Sequence, residues 1–255
     1  MRIGGFQKFS LIDYPEKISA IIFTQGCNFR CPYCHNPELV KPELFTDPIP
    51  EEEVLSFLET RKGLIDGVVI TGGEPLLQSG LKDFLMHIKR MGYLVKLDTN
   101  GSNPQRLEEL LSEGLFDYIA MDIKSPIEEY ISVVRAEVDT DHIRKTLMLI
   151  TKSGLPYEVR TTLFRGLTTS DVLRMMEELK TYGVENYYLQ MVVTKKRYGV
   201  NPVRKSFSNG TDKTLIVDVP LLFENLRENF KQYGFRNLNE KLSAELEADS
   251  MEARC

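Results

Sequence analysis

Apolar residues recur at helical spacing in six stretches of this chain, as in Leu81, Phe84, Leu85 and Ile88, in Leu107, Leu110 and Leu111, and in Val172, Leu173, Met176 and Leu179. Each stretch runs out near a glycine. After Gly67, Gly92, Gly114, Gly154, Gly183 and Gly234 comes a short β-rich run, for example at 68–71, 94–97, 118–121 and 187–193. Glycine ends a helix in the left-handed conformation without a Cβ penalty, so helix, glycine, strand is the punctuation of an αβ unit. Helix starts agree: Pro50 precedes Glu51, Glu52 and Glu53, Asn103 precedes Pro104, and Ser170-Asp171 offers a cap. With a first strand at 18–24 the pattern predicts six βα units and hence a parallel sheet with right-handed crossovers. Six units fall short of the eight that close a full barrel. The expected fold class is α/β, a partial (β/α)6 TIM-like barrel.

The pattern also divides the chain. Residues 1–17 form an N-terminal extension and 18–194 the barrel core. Residues 195–213 hold Lys195, Lys196, Arg197, Arg204, Lys205 and Lys213, with Asp212 the only acid, among Gly, Asn, Ser and Pro, and read as a flexible basic loop. Residues 214–239 supply a last helix and an edge strand, and 240–255 a mobile charged tail. With 255 residues, 42% of them hydrophobic, the chain can bury a substantial core. The absence of an apolar run of about 18 residues and of a secretory start predicts a cytoplasmic protein. A net charge of -5 gives no indication of nucleic acid.

Three of the four cysteines, Cys27, Cys31 and Cys34, stand in a Cys-x3-Cys-x2-Cys run. Three thiolates on one short loop can hold three corners of a cubane iron-sulfur cluster and leave its fourth iron open. A closed Cys3His zinc site with His35 is the alternative, although structural zinc sites are usually built from ligand pairs well apart in sequence. A disulfide framework suits neither the clustering nor the length of the chain.

In parallel βα architectures the active site lies at the carboxyl ends of the strands. There the first strand enters the cysteine loop, the second ends in Thr71-Gly72-Gly73-Glu74-Pro75, the third in Asp98-Thr99-Asn100-Gly101, the fourth in Met121-Asp122-Ile123-Lys124, and the fifth carries Glu158-Val159-Arg160-Thr161-Thr162. Each segment alone could be an ordinary turn or ion pair. Together they suit a ligand with a carboxylate, an ammonium and atoms that chelate an open iron.

At this point the chain resembles the radical S-adenosylmethionine (radical SAM) enzymes, whose cysteine spacing carries an aromatic residue before the last cysteine, here Tyr33. More narrowly, the opening Gly5-Phe6-Gln7-Lys8-Phe9-Ser10-Leu11-Ile12-Asp13-Tyr14-Pro15 and the stretch 23–37 resemble anaerobic ribonucleoside-triphosphate reductase activating proteins, a glycyl-radical activase family. Glu16 departs from that family's usual glycine. The resemblance implies a [4Fe-4S] cluster on Cys27, Cys31 and Cys34, chelating the methionine amino and carboxylate groups of S-adenosylmethionine. It places Gly72, Gly73 and Glu74 at the methionine ammonium and Lys124 and Arg160 at the carboxylate. Asp98, Thr99, Asn100 and Asp122 would lie near the ribose or a cation site, the backbone around Tyr33 would touch the adenine, and His35 would be a further cofactor-binding residue.

The implied reaction is reductive cleavage of S-adenosylmethionine to methionine and a 5′-deoxyadenosyl radical, with the electron from a flavodoxin or ferredoxin. That radical takes a hydrogen atom from a glycine Cα in a partner, an anaerobic ribonucleotide reductase. Two other readings stay open. One is a radical enzyme with the same core acting on a pyruvate formate-lyase type partner or on a small molecule such as a tRNA-base precursor; the other is a noncatalytic zinc-binding module.

Overall fold

The computed structural model describes residues 1–191 and 217–237. The basic loop expected at 195–213, the end of the run at 187–193 and the tail expected from 240 lie outside the described residues. Strands and helices alternate: β1 (Ile3–Ser10), β2 (Ser19–Thr24), α1 (Glu51–Glu59), β3 (Gly67–Gly72), α2 (Leu81–Arg90), β4 (Leu94–Thr99), α3 (Pro104–Ser112), β5 (Tyr118–Asp122), α4 (Tyr130–Val134), α5 (Thr140–Lys152), β6 (Tyr157–Leu163), α6 (Thr169–Thr181), β7 (Asn186–Met191), α7 (Val219–Asn229) and β8 (Gln232–Arg236).

The chain separates into two compact units. The first comprises Met1–Asp122 and Ile131–Glu158, the second Ile123–Tyr130 and the described residues from Val159 onward. In the first unit β2, β3, β4 and β5 pair in parallel, and β1 pairs antiparallel with β2. Parallel strands covered on both faces read as apolar runs, and Ile22, Val68, Ile70, Val95, Leu97 and Ile119 are all fully buried. Leu81, Phe84, Leu85 and Ile88 on α2 and Leu107 and Leu110 on α3 are buried as their spacing predicted, while Leu111 is only half-buried; α5 buries Ile143, Leu147 and Ile150. In the second unit β6, β7 and β8 pair in parallel, with α6 buried through Val172, Met175, Met176 and Leu179.

Local details both match and correct the sequence reading. Gly92, Gly114, Gly154 and Gly183 all have positive φ. Gly67 does not close α1: it is the first residue of β3, and Gly63, at φ +75°, makes the left-handed turn instead. Gly234 lies inside β8, because the chain turns back at Phe230 in extended backbone and needs no glycine. The cap of α6 is Thr168 rather than Ser170-Asp171; Thr168 and Asp171 form a reciprocal capping box. The N-terminal extension is itself ordered as β1, an edge strand that sequence pattern alone did not mark as one.

Candidate cluster and cofactor site

In the first unit β2 passes into the cysteine loop through Gln25 and Gly26. The Gln25 N–H donates to the Arg2 carbonyl at 2.9 Å and the Gly26 N–H to the Leu39 carbonyl at 2.7 Å, which pins both ends of the loop. Within it the Cys34 N–H donates to the Cys31 carbonyl at 3.1 Å. The Arg30 guanidinium donates to the carbonyls of Cys27 and Phe29 at 2.6 and 2.8 Å, and the Phe29 ring is buried. The three thiols therefore ride on a fixed backbone. All three are half-buried and none is in a disulfide.

The loop rests on the exit from β3. The Gly73 N–H donates to the Thr24 carbonyl and the Glu74 N–H to the Gly26 carbonyl, both at 2.8 Å. A Cβ on Gly73 would stand 2.0 Å from the Gly26 carbonyl oxygen, and one on Gly72, at φ +116°, would stand 2.3 Å from the Thr24 nitrogen. This close backbone approach requires glycine at both positions.

Glu74 is fully buried. Its Oε1 accepts from the Leu76 N–H at 3.1 Å and the Thr99 hydroxyl at 2.8 Å, and its Oε2 accepts from the Asn100 N–H at 2.7 Å. The carboxylate is thus a strut between the exits of β3 and β4. Asn100 extends the strut to the cysteines: its Nδ2 donates to Asn28 Oδ1 at 2.9 Å and to Cys27 Sγ at 3.8 Å. Thr99, Asn100, Gly73, Glu74 and Cys27 form one hydrogen-bonded set, with Gly72 pressed against Thr24 beside it. The pattern missed Asn28, whose only signal was its position directly after Cys27.

Asp98 meets a cation supplied by the chain itself. Alternation along β4 puts Lys96 on the same face, and its buried ammonium lies 2.7 Å from Asp98 Oδ1 and 3.9 Å from Glu158 Oε1. The Tyr118 hydroxyl donates to Glu158 Oε2 at 3.3 Å. Sequence reading did not single out Lys96. The signal available was a lysine inside an otherwise apolar parallel strand, two residues before an acid.

Tyr33 is half-buried, and its hydroxyl pKa is driven well up, first by burial and then by the charges of Cys31 and Asp122. Asp122, at the end of β5, lies close enough for its charge to act on that hydroxyl. His35 lies half-buried on the same loop. Lys124 and Arg160 belong to the second unit, where the Ile123 N–H donates to the Arg160 carbonyl at 2.8 Å and the Lys124 N–H to the Tyr130 hydroxyl at 3.3 Å. Those two bases are neighbours on adjoining segments.

The chemistry of the donor set fits a cubane: three thiols on one short loop, none in a disulfide, are the soft sulfur ligands that three iron corners of a [4Fe-4S] cluster take.

An α/β chain of this kind with a three-thiol loop seated on a glycine-rich strand exit defines a class of iron-sulfur enzyme. The sequence matches the radical SAM superfamily over residues 21–179, and the chain belongs to that superfamily, which uses a [4Fe-4S] cluster and S-adenosylmethionine. It is 32% identical over 202 residues to MJ1227 of Methanocaldococcus jannaschii, provisionally named a glycyl-radical enzyme activating enzyme, covering 72% of this chain and 79% of that one. It is 29% identical to the pyruvate formate-lyase-activating enzyme of Streptococcus mutans (70% and 72% covered) and 26% identical to the GTP 3′,8-cyclase of Helicobacter pylori (86% and 65% covered). Among solved structures, Streptococcus suis SuiB bound to S-adenosylmethionine superposes with a TM-score of 0.60 at 13% identity, over 86% of this chain and 50% of that one. The fold class read from the sequence, a partial TIM-like α/β barrel of the radical SAM type, is borne out. No described helix is long and apolar enough to cross a membrane.

Proposed function

We propose that this protein is an activase that installs a glycyl radical on an anaerobic ribonucleoside-triphosphate reductase. The observation that carries the reading is the likeness to MJ1227 across most of both chains. The opening residues 5–15 and the run 23–37, which resemble the reductase-activating proteins, favour a reductase as partner over a pyruvate formate-lyase type enzyme.

In this reading Cys27, Cys31 and Cys34 hold the cluster. Bound together, cluster and S-adenosylmethionine supply the one-electron, hydrogen-abstracting chemistry. The protein's own work is to bind, orient and exclude water. Because the Glu74 carboxylate is buried and already accepts three hydrogen bonds, the methionine ammonium falls to the backbone carbonyls of Gly72 and Gly73, which Glu74 holds in place. Lys124 and Arg160 take the methionine carboxylate. Thr99 and the Lys96-paired Asp98 brace the ribose side, and Asp122 accepts from a ribose hydroxyl. Tyr33 and His35 border the adenine. The single electron comes from a flavodoxin or ferredoxin, since the described thiols form one group only. One hydrogen atom leaves the glycine Cα for each S-adenosylmethionine cleaved.

The test is an anaerobic electron paramagnetic resonance (EPR) spectrum of the reconstituted, reduced protein mixed with S-adenosylmethionine and an anaerobic ribonucleotide reductase. A glycyl-radical doublet that disappears when the partner's radical glycine is replaced supports the activase. A reduced cluster that releases deoxyadenosine while the partner stays silent overturns it, and turnover of a small molecule such as GTP would then name the substrate class.

A further inference from the structure

We propose that Asn100 is a positioning residue for the cluster: its amide donates to the sulfur of Cys27, orienting one of the three iron ligands and partly neutralising its charge. The proposal rests on the cluster-binding reading above. It gives Asn100 work at the iron ligand rather than at the ribose of S-adenosylmethionine or a cation site, where the family resemblance put it.

The amide has no choice of direction. Asn100 Oδ1 accepts from the Ser102 N–H at 3.0 Å, so the NH2 end must point toward the cysteine loop. There it lies 2.9 Å from Asn28 Oδ1 and 3.8 Å from Cys27 Sγ. Asn28 returns a hydrogen bond from its own Nδ2 to Ser102 Oγ at 2.9 Å, closing a ring of side chains between the two loops.

The β4 exit is itself immobilised on both sides. Glu74 holds the Asn100 N–H, the Thr146 hydroxyl of α5 donates to the Gly101 carbonyl at 2.7 Å, and His142 Nδ1 lies 3.2 Å from the Ser102 carbonyl. A second donor, the Phe29 N–H, reaches the same sulfur at 3.4 Å. Cys27 therefore sits in a cradle of two N–H donors.

Hydrogen bonds to the sulfurs of an iron-sulfur site stabilise the extra negative charge of the reduced state and raise its potential. Removing the Asn100 donor must shift the potential down, whereas loosening the loop without touching the sulfur must not.

The experiment is an EPR-monitored redox titration of the anaerobically reconstituted full chain, with iron content, for the wild type and for N100A, N100D and N28A. The expected result is full iron in N100A with a more negative midpoint than wild type. N100D, which turns an acceptor toward the thiolate, should lie lower still, and N28A should keep the wild-type value. N100D also retains the acceptor for the Ser102 N–H, so it preserves the turn if N100A does not fold. An unchanged midpoint in N100A, or an equal shift in N28A and N100A, overturns the proposal. A wild-type chain that assembles no [4Fe-4S] cluster overturns the reading beneath it.

Discussion

The two ends of the same strands in the first unit are built from opposite materials. From the amino ends to the middle of β2 and β3, Tyr14, Ile21 and Val69 make a buried cluster, with Leu94 and Tyr118 at the starts of β4 and β5, and Phe23 farther along β2, packed against it. At the carboxyl ends many buried positions are polar, among them Thr24, Gln25, Glu74, Thr99 and Asn100. The apolar end is held by non-directional burial, which tolerates small displacements at modest cost. The polar end is held by hydrogen bonds whose partners are specified atom by atom, and a buried polar group left unmatched costs about 1–3 kcal/mol. One end therefore supplies stability and the other geometry, the division expected of a βα architecture with its site at the carboxyl edge.

Substitutions can break this contrast. The largest expected effect is at the cluster: C31A leaves two thiolates, and S-adenosylmethionine cleavage should be abolished while far-UV circular dichroism stays that of wild type. Retained cleavage would refute the ligand assignment. E74A removes the acceptor for two buried N–H groups and a hydroxyl, so it should cost about 3–5 kcal/mol in urea denaturation and weaken S-adenosylmethionine binding in parallel. If the cofactor affinity falls with no loss of stability, Glu74 contacts the ligand and is not a strut.

At the apolar end I21A should cost about 2–5 kcal/mol, with cleavage per folded molecule unchanged. A fall in specific activity there would show that the two ends are coupled.

Two smaller effects sharpen the picture of the apolar end. Burial, aided by the charge of Asp117, pushes the Tyr14 hydroxyl pKa up to about 12. A folded-state pKa above the ordinary value of 10 means the neutral phenol stabilises the fold fully below pH 10 and loses that contribution as the pH rises toward 12. Denaturation midpoints should fall over that interval, less steeply in Y14F, and parallel slopes would exclude Tyr14 as a contributor. Glu16 follows at φ +59°, a left-handed conformation that favours glycine. E16G should stabilise by about 0.5–1 kcal/mol, the relief of that strain exceeding the added freedom of the unfolded chain; a lower melting temperature would reverse the sign.

Much of this was legible from sequence because its signals are local. Helix faces such as Leu81, Phe84, Leu85 and Ile88 follow from a 3.6-residue period, and strand exits follow from where each β-run stops. The cysteine spacing alone carried the cluster chemistry. The departure at Glu16 was visible as a missing glycine, and its backbone angle explains why glycine suits the position.

What stayed hidden depends on partners far apart in the chain. β1 has little periodicity, and only its pairing with β2 makes it a strand. Lys96 read as one residue of a β-run until register and alternation placed it beside Asp98 and Glu158. Asn28 and Asn100 are 72 residues apart, and no spacing rule connects them.

The sequence by itself determined the βα units from β2 onward, their order, the three thiols and the family, because periodicity, turn chemistry and ligand identity are properties of neighbouring residues. Only the tertiary structure decided that Glu74 is a buried strut, that Asp98 is paired with a lysine from its own strand, and that an asparagine from β4 points at a cysteine from the β2 loop. Those are relations between strand ends, and a strand end acquires its neighbours only when the sheet has formed.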